Sequence, residues 1–180
     1  SPMSRGLGDV YKRQLIYLAL TRQTQRRDGL ATLFWPEAGQ QNARTSLRRE
    51  IYALNSAIGE EWLNASRAEI GLNPDREIWI DVEEFRNCLV LPKQHSHPVG
   101  ELCEQCLEQL TSAVALYRDD FLLGFTLSDA PEFDDWYFFE ADSLRRDFLS
   151  ALEILAQFNE ARGDYDEAIG CLLYTSPSPR

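Results

Sequence analysis

Apolar residues recur at helical spacing in Leu47, Ile51, Leu54 and Ile58, so they fall on one face of a helix. A turn of about 100° per residue puts Thr45, Arg48, Arg49, Tyr52 and Ser56 on the other side, with Glu50 the one acid nearby. The pattern then shortens. Trp62 to Ala65 and Ile70 to Leu72 read as two short strands around a turn that holds Arg67. Upstream, Leu15 to Leu20 is the tail of a buried helix, and Thr21 to Arg26 is a polar connection. Arg27 to Trp35 predicts a second helix with Leu30, Leu33 and Phe34 inward, ended by Pro36 and Gly39. Glu77 to Ile80 predicts a strand that closes the hairpin's sheet. Three helices and a hairpin make a winged helix-turn-helix, over residues 15–81.

The second half is helical throughout. Asp81 with Glu84 three residues on forms a capping box that opens a helix to about Leu91, and Pro92 to Pro98 is a linker. Val99 to Tyr117 carries Leu102, Cys106, Leu110, Ala113 and Tyr117 on one face. Phe121 to Pro131 is a bend. Pro131 then suits the first turn of a long helix to about Arg162, with Trp136, Leu144, Phe148, Leu152, Leu155 and Phe158 as its apolar stripe. Gly163 stops that helix, and Asp164 with Glu167 starts another. The expected fold class is mainly α: a winged helix-turn-helix, then an all-helical tetratricopeptide-like domain over residues 82–170.

The two ends change the bounds of this reading. Asp9 to Gln14 can be encoded by GAT GTG TAT AAG AGA CAG, and Cys171 to Ser176 by TGT CTC TTA TAC ACA TCT. Those strings are reverse complements over their overlap, and Ser4 to Gly8 and Pro177 to Arg180 extend the match outward. Residues 1–14 and 171–180 are therefore expected to be translated transposon-end sequencing adaptor, with native sequence from about Leu15 to Gly170. The source nucleotides decide this.

Charge separates the halves. Leu15 to Asp81 holds eight basic and nine acidic residues, whereas Val82 to Gly170 holds six and nineteen. A near-neutral half with clustered arginines beside a strongly acidic half suits a nucleic-acid reader joined to a domain that does not bind nucleic acid. No apolar run reaches membrane-spanning length. Within the trimmed chain Cys88, Cys103 and Cys106 remain, and that odd count without a signal peptide predicts free thiols in a reducing cytoplasm.

A helix with an apolar back and a basic, hydrogen-bonding front has the chemistry for a DNA major groove. The expected DNA contacts are Arg44, Thr45, Arg48, Arg49, Tyr52 and Arg67. Arg48 or Arg49 would reach a guanine edge, and the others would hold phosphates. The plainer alternative is an amphipathic helix with a solvated polar face, one of the two arginines pairing with an acid of the neighbouring domain.

His95-x-His97 with Cys103-x-x-Cys106 has the donor types of a zinc site. Equally, Cys106 on the apolar face reads as a small buried thiol, and the histidines as solvated residues of a proline-bounded linker. The sequence therefore assigns no metal ligand and no cofactor. Glu132, Asp134, Asp135 and Glu140 lack a nucleophile or phosphate loop to work with and read as a solvated or partner-binding face. No nucleophile elbow, P-loop or dinucleotide fingerprint occurs, so no catalytic residue is assigned and an enzyme is not expected.

Leu18-Ala19-Leu20, Leu33 to Pro36, Ala43 to Leu54 around Leu47-Arg48-Arg49, Trp79 to Val82 and Phe85 together form a pattern. So do Ala115 to Leu122, Gly124-Phe125, Asp135-Trp136, Leu144 to Arg146, Gly163 to Tyr165 and Ala168-Ile169. On these residues the chain resembles the SARP/AfsR-type bacterial transcriptional regulators over nearly all of Leu15 to Gly170. The resemblance implies an OmpR-like winged helix that binds promoter repeats, followed by a bacterial transcriptional activator domain. The implied partners are double-stranded promoter DNA, RNA polymerase and a second copy of the chain. Two departures stand out: the family's opening strands are missing, and Asp120 replaces its usual glycine. The competing expectation is a helical-repeat interaction scaffold without DNA binding.

Overall fold

A computed structural model describes residues 7–122 and 130–175, with side chains for 11–122 and 130–171. It is mainly helical. The chain divides into two units, Ser1–Ile78 with Gly124–Tyr137, and Trp79–Leu123 with Phe138–Arg180. Of the segments that carry the family resemblance, Gly124-Phe125 lies outside the described residues.

In the first unit, α1 (Leu7–Thr21), α2 (Arg27–Phe34) and α3 (Gln40–Ile58) surround one core. Each supplies residues from its apolar face: Leu18 from α1, Leu30, Ala31 and Phe34 from α2, Leu47, Ile51 and Leu54 from α3. Burial of such side chains contributes about 1.5–3 kcal/mol each, which fixes the helices although propensity alone would not. Glu50, the acid beside the outer face, is buried: it is 2% exposed, with exposed Arg49 3.4 Å from its Oε1. Gln14 is also buried, and its Nε2 has no hydrogen-bond partner among the described residues.

The sheet contains β1 (Gln25–Arg26), β2 (Leu63–Ala65) and β3 (Glu69–Leu72), all antiparallel in the order β1-β3-β2. Ala65 and Gln25 both pair with Ile70, from opposite edges of β3. This corrects the expected third strand. Glu77 to Ile80 joins no ladder, and the strand that pairs with β3 opposite β2 is instead formed by residues read as a polar connection. Gly71 permits the crossing, since a Cβ there would lie 3.0 Å from Thr24 Oγ1 and 3.2 Å from its Cα.

The first unit also takes in the start of α6 (Pro131–Arg162). Ala130 and Phe133 are buried in its core. The Phe133 ring lies 5.2 Å from Phe34, and Trp136 meets Tyr17 edge-on at 4.9 Å. Trp136 therefore does not share a core with Leu144 and Phe148, as the stripe implied. Helical spacing alone carries no information about where one core ends and the next begins.

In the second unit, α4 (Asp81–Gln94) and α5 (Glu104–Leu116) pack as a hairpin with the rest of α6. Phe85, Leu89, Leu110, Leu144, Phe148 and Leu152 form its centre, and Tyr117 stacks on Phe148 at 4.1 Å. Asp81 is the first helical residue rather than the cap, and its Oδ1 accepts from the Val82 N–H at 2.8 Å. The helix also continues through Pro92 to Gln94 instead of yielding to a linker. So close to a C-terminus, proline's missing N–H removes only one of the last bonds.

α5 starts at Glu104, later than Val99, because Pro98–Glu101 is a reverse turn. The Glu101 N–H donates to the Pro98 carbonyl at 3.0 Å, and Gly100 takes φ +82°. That is the left-handed position of a type II turn. Gly163 (φ +80°) and Asp164 close α6 by donating to the Glu160 and Asn159 carbonyls, a Schellman arrangement, and α7 (Tyr165–Thr175) follows. No described helix is long and apolar enough to cross a membrane.

Candidate nucleic-acid interface

Three elements of the first unit converge on a cleft of about 930 Å³. One wall is α3, with Arg44 and Arg48. The second is the N-terminus of α2, with Arg26, Arg27 and Asp28. The third is the tip of the β2–β3 hairpin, with Arg67. Five guanidinium groups therefore surround a space that has a single carboxylate on its lining.

The hairpin tip is held by its own sequence. The Ser66 N–H donates to the Glu69 carbonyl at 2.9 Å, while Ser66 Oγ accepts from the N–H groups of Ala68 and Glu69 at 3.2 and 3.0 Å. Serine supplies this local acceptor, which is why it favours turns. The Arg27 N–H then donates to the Ala68 carbonyl at 2.8 Å. That bond ties the tip carrying Arg67 to the helix start carrying Arg26 and Arg27.

The arginines differ in how they are held. Arg44 grips Asp28 with two bonds, Nε to Oδ1 at 2.7 Å and Nη2 to Oδ2 at 2.9 Å. This pairing holds the Asp28 carboxyl below the usual carboxylate value and raises Arg44. Both groups are well exposed, so the pair orients Arg44 without adding much stability. Arg48 and Arg67 are exposed and have no ion-pair partner among the described residues. Two uncompensated cations thus face each other across the cleft from a helix and a hairpin.

Of the six residues expected to contact DNA, the cleft brings together Arg44, Arg48 and Arg67. Thr45, Arg49 and Tyr52 do not line it. They lie farther round the same exposed face of α3, where Tyr52 is 75% exposed. The Thr45 hydroxyl donates to the Gln41 carbonyl at 2.9 Å, leaving its lone pairs to accept. Arg49 does pair with an acid, but with Glu50 of its own helix. Arg26 and Arg27 were missed by sequence reasoning. Their signal was an arginine pair directly before an acidic helix start; the pairing of β1 with β3, which carries them to the hairpin, has no local signature.

A second constellation lies in the other unit. His95 follows the C-terminus of α4, Cys103 is the N-cap of α5, and Cys106 sits in its first turn. His95 Nδ1 is 3.6 Å from Cys103 Sγ and 3.3 Å from Cys106 Sγ, and His97 Nε2 is 3.4 Å from Cys106 Sγ. The histidines are therefore not merely solvated. The Cys106 backbone N–H and the His95 ring hold the Cys103 thiol down to about 6, while burial pushes Cys106 up to about 11. The acidic residues of α6 do not form a comparable centre: Glu140 is paired with Arg86, and burial raises Asp134.

Known protein families, curated proteins and solved structures contain no match to this chain.

Proposed function

We propose that the chain is a sequence-specific, DNA-binding transcriptional regulator of the bacterial cytoplasm. The observation that carries this reading is the arginine-lined cleft between α3 and the hairpin tip. In it, α1 to α3 and the sheet act as a winged helix-turn-helix. An α-helix is about 10–12 Å across and the major groove about 12 Å wide, so α3 enters with its exposed face toward the bases. Arg48 and Arg49 reach guanine edges, and Thr45 and Tyr52 contact base edges or the adjacent phosphates. The hairpin is the wing, and Arg67 with Arg26 and Arg27 holds the sugar–phosphate backbone beside the groove.

The resemblance to SARP/AfsR-type regulators supports the same reading and extends it. The second unit is then a tetratricopeptide-like activator domain. Its excess of acidic residues keeps it off DNA and leaves it to contact RNA polymerase or a second copy of the chain.

Selection from a random-sequence duplex library tests this. The expected result is enrichment of one sequence, arranged as a direct repeat if two copies bind together. Recovery of the input distribution, with no enriched sequence, sinks the proposal.

A further inference from the structure

We infer that His95, His97, Cys103 and Cys106 form a structural zinc site that fastens the α4–α5 hairpin. The four donor atoms lie within 4.8 Å of one another. In a tetrahedral site with Zn–S about 2.3 Å and Zn–N about 2.05 Å, sulfur and nitrogen stand about 3.6 Å apart. Three of the four sulfur–nitrogen distances are 3.3, 3.4 and 3.6 Å, and the fourth lies within 4.8 Å. Three edges of such a tetrahedron are therefore already close to the length zinc requires.

The chain is shaped to bring them there. α4 stops one residue before His95, the Pro98–Glu101 turn reverses direction, and α5 starts one residue after Cys103. Gly100 is required at that turn, both for its positive φ and because a Cβ would lie 2.9 Å from Ala161 Cβ. Cys103 as the N-cap of α5 and Cys106 one turn on place both sulfurs on the same side of the helix start. Two thiolates and two neutral imidazoles leave a zinc complex without net charge, which suits a site that is exposed at His95 and buried at Cys106.

The donor set selects zinc. Mixed thiolate and imidazole ligation in a tetrahedron is its usual structural environment, whereas calcium and magnesium require oxygen ligands. All four positions are filled by protein, so the site holds structure and has no place for a substrate. Binding displaces any remaining thiol protons to solvent. A Cys103–Cys106 disulfide is the competing state, and reducing conditions separate the two.

The test uses the full chain, reduced and loaded with zinc, then desalted. One zinc per chain is expected, with a rise in the unfolding temperature that a chelator reverses. Cobalt in place of zinc is expected to give the intense visible bands of tetrahedral geometry and thiolate-to-cobalt charge transfer. Cys103→Ser is the informative variant, because Cys103 is half-exposed and serine fits there. It should keep the helical spectrum, lose part of the charge-transfer band and weaken zinc binding roughly a hundredfold or more. His97→Gln should weaken zinc similarly while leaving both thiolate bands. Substoichiometric zinc in the reduced protein, octahedral cobalt, or equal zinc affinity in the folded Cys103→Ser and His97→Gln variants would overturn the assignment.

Discussion

Phe133→Ala lowers the stability of the first unit by about 3–5 kcal/mol, the usual result of emptying a buried phenylalanine site. The effect is large for reasons visible around the ring. Phe133 is 2% exposed and lies 5.2 Å from Phe34 and 5.4 Å from Trp136, with Tyr17 at 6.5 Å. Aromatic groups packed this way cannot close over the gap without breaking their mutual edge contacts, each about 0.5–1.5 kcal/mol. Single domains have only about 5–15 kcal/mol of stability, so the loss is a substantial fraction. Denaturant unfolding followed by tryptophan fluorescence measures it. A fragment ending at Leu122 should show at least as large a deficit, since Ala130, Phe133 and Trp136 are then all gone. Unchanged midpoints in both would mean that the start of α6 is not part of this core.

Arg48→Ala combined with Arg67→Ala removes DNA affinity by roughly a hundredfold or more, at about 1–3 kcal/mol for a base-edge arginine and less for a phosphate contact. The pair is chosen for its geometry. Both residues line the cleft, one from α3 and one from the hairpin tip, and neither has a partner among the described residues. Their removal leaves no acid unpaired, so the fold should be unaffected. Arg44→Ala is a different experiment, because it releases Asp28 as an unpaired carboxylate in the same cleft. Its loss of affinity would mix a missing cation with an added repulsion. Arg146→Ala, in the second unit, serves as the matched control: it breaks only the exposed pair with Asp142. Binding measured by fluorescence anisotropy should fall in the double variant and hold in the control. Equal affinities would place the interface elsewhere.

Much of this architecture was legible in the sequence. Leu47, Ile51 and Leu54 marked the buried face of α3, and Gly163 marked the end of α6, because helical periodicity and capping are local signals. The hairpin was legible for the same reason. Long-range pairing was not. A two-residue strand such as Gln25–Arg26 has no period of its own, so its place beside β3 depends on the whole unit. The return of Ala130 to Tyr137 to the first core was hidden because one continuous helix feeds two cores. At the cleft, the arginines of α3 and the hairpin could be named from type and spacing. Arg26 and Arg27 could not, since long-range pairing of β1 with β3 and the bond from the Arg27 N–H to the Ala68 carbonyl bring them to the same place. At the His95–Cys106 cluster the donor types were plain in the sequence. Their convergence depended on the Gly100 turn, which the reading of a continuous helix from Val99 had removed.

The most direct measurement of the central claim is affinity for a duplex across a salt series. Arginine contacts to phosphates release counterions, and log affinity falls with log salt by about 0.9 for each. With Arg26, Arg27 and Arg67 on phosphates, the slope should be about −3, becoming shallower in the Arg48→Ala, Arg67→Ala variant through the loss of Arg67. An affinity that stays flat as salt rises, or a slope the double variant leaves unaltered, would contradict DNA binding at this cleft.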